Sequence, residues 1–140
     1  MCLYVHRAYH RSFHPVPAIA REDKHVYKVL LTNGSKYITP YRQTQVIFTD
    51  DIGILSATLI NILITVTCGI HAFRNYERAM RSGAFLPDPR YKLIICNAVI
   101  PKGTKYFIGT NDDIVAEKLI IFKTEEAFKT YALKNGNLCA

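Results

Sequence analysis

Ile52 to Ile70, IGILSATLINILITVTCGI, runs nineteen residues without a charge, and its reading decides the fold. Length alone makes it a short membrane-span candidate. Asn61 at its centre and the polar or small residues Gly53, Ser56, Thr58, Thr65, Thr67 and Gly69 dilute its apolarity. Basic residues flank both sides, so charge gives no orientation. From Leu59 to Cys68 the residues Ile60, Ile62, Ile64, Val66 and Cys68 fall on one face of an extended chain, with Asn61, Thr65 and Thr67 opposite. β-Branched residues dominate, which suits a pleated strand. The segment therefore reads as a buried strand pair, and a membrane span is disfavoured.

Working outward, Val26–Leu31 reads as a strand, Asn33-Gly34 as a type I′ turn and Ser35–Thr39 as the returning strand. Gln45–Thr49 alternates and reads as a third strand, with Asp50-Asp51 and Gly53 turning the chain into the apolar run. Beyond it, Asn75 caps a helix to Ser82, with Gly83 after its end. Tyr76, Ala79 and Met80 form the helix's packed face. Pro87-Asp88-Pro89 is a loop, Tyr91–Ile100 a central strand, Lys105–Gly109 a short strand and Ile114–Phe122 one long strand. Thr124 caps a last helix that buries Ala127, Phe128, Tyr131 and Leu133. The expectation is one α+β domain over residues 1–140. It has a mainly antiparallel sheet of about seven short strands, two short helices, an irregular basic arm at 1–20 and a loose tail at 135–140.

The chain has 140 residues, is 49% apolar and carries a net charge of +7. That length supports a core, and the composition excludes disordered, collagenous and repeat classes. Of the surplus, +5 lies in residues 1–48 and +1 in each later third. A partner site is therefore sought around Arg7, Arg11, Lys28, Lys36 and Arg42, and the partner is expected to be anionic. Four scattered cysteines without a CxxC spacing, and no apolar leader after Met1, point to the cytoplasm, a host's cytoplasm if the gene is a phage's.

His6, His10 and His14 recur every four residues, a spacing that brings three imidazoles to one stripe. They are weak zinc candidates, because Arg7 and Arg11 between them oppose a dication. Cys68 and His71 sit at a strand-to-helix junction, but two residues do not complete a nucleophilic site. The adjacent pairs Asp50/Asp51 and Asp112/Asp113 point apart on an extended chain, and Glu117 lies mid-strand. Aromatics interleave with cations at Tyr41-Arg42 and around Lys102 and Lys105, and His71 and Arg74 flank the junction. These six residues make up the candidate ligand-binding set. No cofactor motif is present, and nucleic acid remains a partner without a motif. The oligomeric state is not legible.

The Met1-Cys2-Leu3-Tyr4 start, the Tyr27–Leu30 and Thr39-Pro40-Tyr41 hairpin, Cys68–Phe73, Ile100–Tyr106 and Asp113–Lys118 together resemble small uncharacterised proteins of Bacteroides-type gut bacteria and their phages. A phage origin implies an accessory, non-enzymatic role against the host, with a host protein or a nucleotide-like defence signal as partner. A second resemblance covers about half the chain. Gly69-Ile70-His71-Ala72-Phe73, a helix with Ala79, an apolar strand and Asp113-Ile114-Val115 are similar to the later half of ADP-ribosyltransferase domains. It implies Glu117 as the catalytic residue and His71 in the nicotinamide pocket, with His71 standing where those enzymes carry an aromatic.

Overall fold

The computed structural model describes residues 3–6, 9–10, 15–40, 43–82 and 88–135. In chain order its strands are β1 (Leu3–Tyr4), β2 (Ala18–Ile19), β3 (Lys24–Thr32), β4 (Tyr37–Ile38), β5 (Ile52–Ser56), β6 (Ile60–Ile62), β7 (Thr65–Cys68) and β8 (Ile70–Phe73). Helix α1 (Tyr76–Ser82), β9 (Lys92–Ile100), β10 (Lys105–Ile108), β11 (Asp113–Ala116), β12 (Lys118–Phe122) and α2 (Glu125–Asn135) complete it. The fold is α+β, with antiparallel sheets and two short helices. Twelve strands among the described residues replace the expected seven.

Nine strands form one sheet in the order β2-β10-β11-β8-β3-β9-β12-β5, with β4 beside β3. Only Glu117 separates β11 from β12, yet β8, β3 and β9 lie between them in the sheet. The sheet therefore curls round and closes on its own bent strand. The expected single strand Ile114–Phe122 is broken at this point for a reason of parity. Ile114 and Ala116 face the core at even positions, and Leu119 and Ile121 face it at odd ones. An unbroken strand would turn Lys118 inward, because side chains alternate strictly. Glu117 absorbs the extra residue: its N–H donates to the Lys105 carbonyl at 3.1 Å, its carbonyl accepts the Ala57 N–H at 2.9 Å, and its Oε1 accepts the Lys105 N–H at 3.2 Å.

The inward face is one apolar cluster that includes Val26 and Leu30 of β3, Ile70 and Ala72 of β8, Cys96, Ala98 and Ile100 of β9, and the four core residues of β11 and β12. The ladder from Lys24↔Ile100 to Thr32↔Lys92 joins β3 to β9 along its whole length.

The uncharged run is not one buried strand pair. It supplies β5 at the edge of the large sheet, then the hairpin β6–β7, then β8. Leu63 turns the hairpin at φ 53°, and the register shifts between Ile60 and Asn61. Ile54, Ile60, Ile62 and Leu63 are exposed, while Val66 is fully buried. No helix among the described residues is long and apolar enough to cross a membrane.

Within the expected basic arm at 1–20, the described residues include two short strands, β1 and β2. β1 pairs with β7 to make a three-stranded sheet, and Leu3 and Val5 pack with Val66, Phe107 and Val115 in a second buried cluster. Gly69 carries the chain from β7 in this small sheet to β8 in the large one. It sits at φ 149°, and a Cβ there would collide with the Val115 side chain and lie 2.7 Å from that of Leu59. Only glycine makes this crossing without strain.

Two turns exchange their expected roles. A type I′ turn needs positive φ at both central residues, and Asp50 and Asp51 have φ 53° and 63°. Thr49 and Ile52 bond each other through both backbone groups across them. At Asn33-Gly34 only Gly34 is positive; the Asn33 carboxamide oxygen accepts the N–H groups of Ser35 and Lys36 instead, and the returning strand shrinks to β4. Gln45–Thr49 forms only isolated bridges, Ile38↔Gln45 and Thr49↔Ile52.

Both helix caps are as expected: Asn75 Oδ1 accepts the Glu77 N–H at 2.8 Å, and Thr124 Oγ1 accepts the Ala127 N–H at 3.1 Å. Of the predicted packed faces, Ala79 is buried but Tyr76 and Met80 are exposed, because α1 makes only two turns over the sheet. In α2, Phe128 packs on Phe122 and His25, the Tyr131 hydroxyl donates to Asp23 at 2.9 Å, and Leu133 is 87% exposed. Gly83, Pro87 and residues 136–140 lie outside the described residues.

Candidate functional site

Lys28 occupies a core position. On β3 it stands between Val26 and Leu30 on the inward face, and its cross-strand neighbour on β9 is Cys96. The residue is 5% exposed. Burial pushes its amine down to about 8, since a low-dielectric interior disfavours the charged form. Burial likewise pushes the Cys96 thiol up to about 11, so it is neutral and offers no counter-charge. No carboxylate among the described residues forms an ion pair with Lys28.

What Lys28 does bond is backbone. β3 and β8 share one register pair, Tyr27 with Phe73, and part beyond it. Across that opening the Lys28 Nζ donates to the His71 carbonyl at 2.6 Å. An ammonium has three protons to donate, and among the described residues this is its one hydrogen bond.

The opening is the wall of a cavity of ≈ 220 Å³. Hydroxyl-bearing Thr39, Thr44, Ser56 and Thr67 line it, with Leu55 and Ile70 as apolar surface. Thr67 spends its hydroxyl on the Ile60 carbonyl, and Thr39 accepts the Thr44 N–H. Thr44 and Ser56 make no side-chain hydroxyl bond among the described residues. Among the described residues the lining holds one cation, four hydroxyls and no acid, so the charge it presents is positive.

Of the four described members of the six-residue binding set, His71 lines this cavity. Its contribution to Lys28 is the carbonyl. The imidazole Nε2 is buried with no hydrogen-bond partner among the described residues. Burial first, then the Lys28 charge, pushes the ring down to about 4, so it is neutral near pH 7. Tyr41 and Arg42, between Pro40 and Thr44 of the rim, lie outside the described residues. Arg74 is exposed with its guanidinium over the Tyr9 ring, 5.1 Å from the centroid. Lys102 and Lys105 are exposed on the β9–β10 side, where the Lys102 N–H bonds Asp23 and the Lys105 N–H bonds Glu117. None of these three lines the cavity. Glu117 is the brace of the sheet's bend described above.

Of the histidine stripe, His10 is committed to backbone. His10 is 6% exposed, its Nε2 accepts the Ile108 N–H at 3.1 Å, and its Nδ1–H donates to the Val16 carbonyl at 3.3 Å. Both nitrogens are thus engaged by backbone. His6 packs edge-on against Tyr9, and His14 lies outside the described residues. Among the described residues no group of three or more His, Cys, Asp or Glu side chains is placed to hold a metal. Cys68 and Cys96 are free thiols.

Sequence reasoning placed Lys28 only in a basic segment. Its alternation partners Val26 and Leu30 were the available signal, since they make Lys28 the charged member of an apolar face. Comparison of the chain with known families, curated proteins and solved structures gives no match.

Proposed function

We propose that this chain is a binding protein for a small anion, taken into the cavity beneath Lys28. One observation carries the reading: an ammonium buried in an apolar sheet interior, with a single hydrogen bond and no carboxylate paired to it among the described residues, forms part of a cavity wall. A buried charge of this kind costs several kcal/mol unless a partner compensates it. An anion in the cavity supplies that partner, and the neighbouring hydroxyls supply further donors. The volume is below the usual range for drug-sized ligands, roughly 300–1,000 Å³, so a carboxylate or phosphate head group with a short body fits better than a whole nucleotide. The positive charge of the chain favours the approach of such ligands.

Thermal unfolding in acetate, inorganic phosphate and adenosine monophosphate, against chloride at equal ionic strength, tests the reading. The expected result is a rise in Tm with acetate or phosphate that is lost in Lys28→Met. Affinity in that variant should fall by about tenfold or more, the worth of a charge-assisted hydrogen bond. No rise with any of the three, or an equal rise in the variant, overturns it.

A further inference from the structure

We propose that the Lys28 amine also forms a covalent imine with a small aldehyde or 2-oxo acid held in the same cavity. This deepens the anion-binding reading and rests on it. The argument begins with hydrogen-bond arithmetic. Among the described residues Nζ donates to one acceptor, the His71 carbonyl at 2.6 Å. Three ammonium protons outnumber that acceptor, whereas a protonated imine has a single N–H to place. The neutral amine fits too, donating one proton to His71 and leaving its lone pair for a carbonyl carbon in the adjoining cavity. Fixing the nitrogen this way removes much of the orientational cost of the attack.

The chemistry needs no co-reactant. The nitrogen lone pair forms the C–N bond as the carbonyl π pair moves to oxygen, giving a carbinolamine. Both hydrogens of the neutral amine then leave with that oxygen as water, and the C=N bond forms. A proton from solvent on the imine nitrogen restores the cation and the bond to His71. The acid group of the same ligand pairs with that cation and with the hydroxyl-lined wall, for which Thr44 and Ser56 are available.

Among the described residues the titratable groups beside the nitrogen are the Cys96 thiol on β9 and the His71 ring on β8, neither of which is charged near neutral pH. Because burial pushes the amine down to about 8, the neutral fraction at pH 7 is roughly two to three hundredfold that of an ordinary surface lysine.

The test is reductive trapping of the intact protein with glyoxylate and cyanoborohydride, followed by peptide mapping of the carboxymethyl adduct. Reaction at Lys28 should exceed that at exposed Lys36 and Lys105 by roughly tenfold or more at pH 7. Its rate should rise with pH and level off above about 8. Excess acetate should slow it. An adduct rate at Lys28 no greater than at Lys36 and Lys105 overturns the imine. Glycolate, the same acid without the aldehyde, separates the two readings. If glycolate raises Tm in a Lys28-dependent way while trapping fails, anion binding stands and the imine falls. If neither occurs, both fall.

Discussion

Two basic side chains of the first third, His10 and Lys28, are buried to the same degree, yet their surroundings treat them oppositely. His10 lies beneath β10 beside Phe107, and each ring nitrogen meets a backbone group that would otherwise lack a partner. It substitutes for a missing strand. Lys28 lies at the cavity wall with one bond made and no ion pair among the described residues. A saturated buried polar group strengthens the fold, whereas an incompletely satisfied one costs stability and leaves valence for a ligand. That difference separates a structural residue from a site residue here.

Replacing His10 with Leu breaks the comparison at its structural end. The buried Ile108 N–H loses its partner and the part-buried Val16 carbonyl loses one too, for an expected destabilisation of about 3 kcal/mol in denaturant unfolding. Retention of wild-type stability would show that these bonds carry nothing.

Lys28→Met gives the opposite sign: a gain of about 2 kcal/mol at pH 7, because a buried, partly satisfied ammonium becomes an apolar chain of similar length. The gain should fade with alkalinity. The folded amine titrates near 8 and the unfolded one near 10.5, so between these values the unfolded state binds more protons and wild-type stability rises with pH. The increment is complete above pH 10.5 and lost as pH falls through 8. Parallel pH profiles of wild type and variant would refute the assignment.

The smallest effect belongs to the exposed bases. Lys102→Ala and Lys105→Ala should change stability by less than about 0.5 kcal/mol, as surface substitutions do. They should also leave the anion-induced Tm rise intact. A loss in either variant equal to that in Lys28→Met would move the site to the outer surface.

The strand at β3, the strand at β9 and both helix caps were legible because their signals are local: an alternating or apolar run, and a side-chain acceptor before the first turn. The break at Glu117 was legible in principle, through the parity change from Ile114 and Ala116 to Leu119 and Ile121, but a continuous apolar run conceals it. The run at 52–70 misled in its burial because β-branched residues favour strands whether or not they are covered, and edge positions left Ile54, Ile60 and Ile62 exposed. The type I′ turn was sought at Asn33-Gly34 on residue preference, while Asp50-Asp51 adopts it because the two pairing residues, Thr49 and Ile52, demand that twist. Of the described members of the predicted binding set only His71 lines the cavity, through a junction the sequence marked with Gly69.

By itself the sequence determined the α+β class, the caps, the strand-rich character of the uncharged run and a surplus of positive charge early in the chain. These follow from propensity and periodicity over a few residues. Tertiary structure decided which basic residue is a site. Both faces of β3 are apolar around Lys28, so alternation does not say which one is inside. Closing the sheet on its bent strand turns Val26, Lys28 and Leu30 inward and sets the amine against a carbonyl forty-three residues away. Charge is a property of composition, but its cost and its use depend on the dielectric and the partners that packing brings to it.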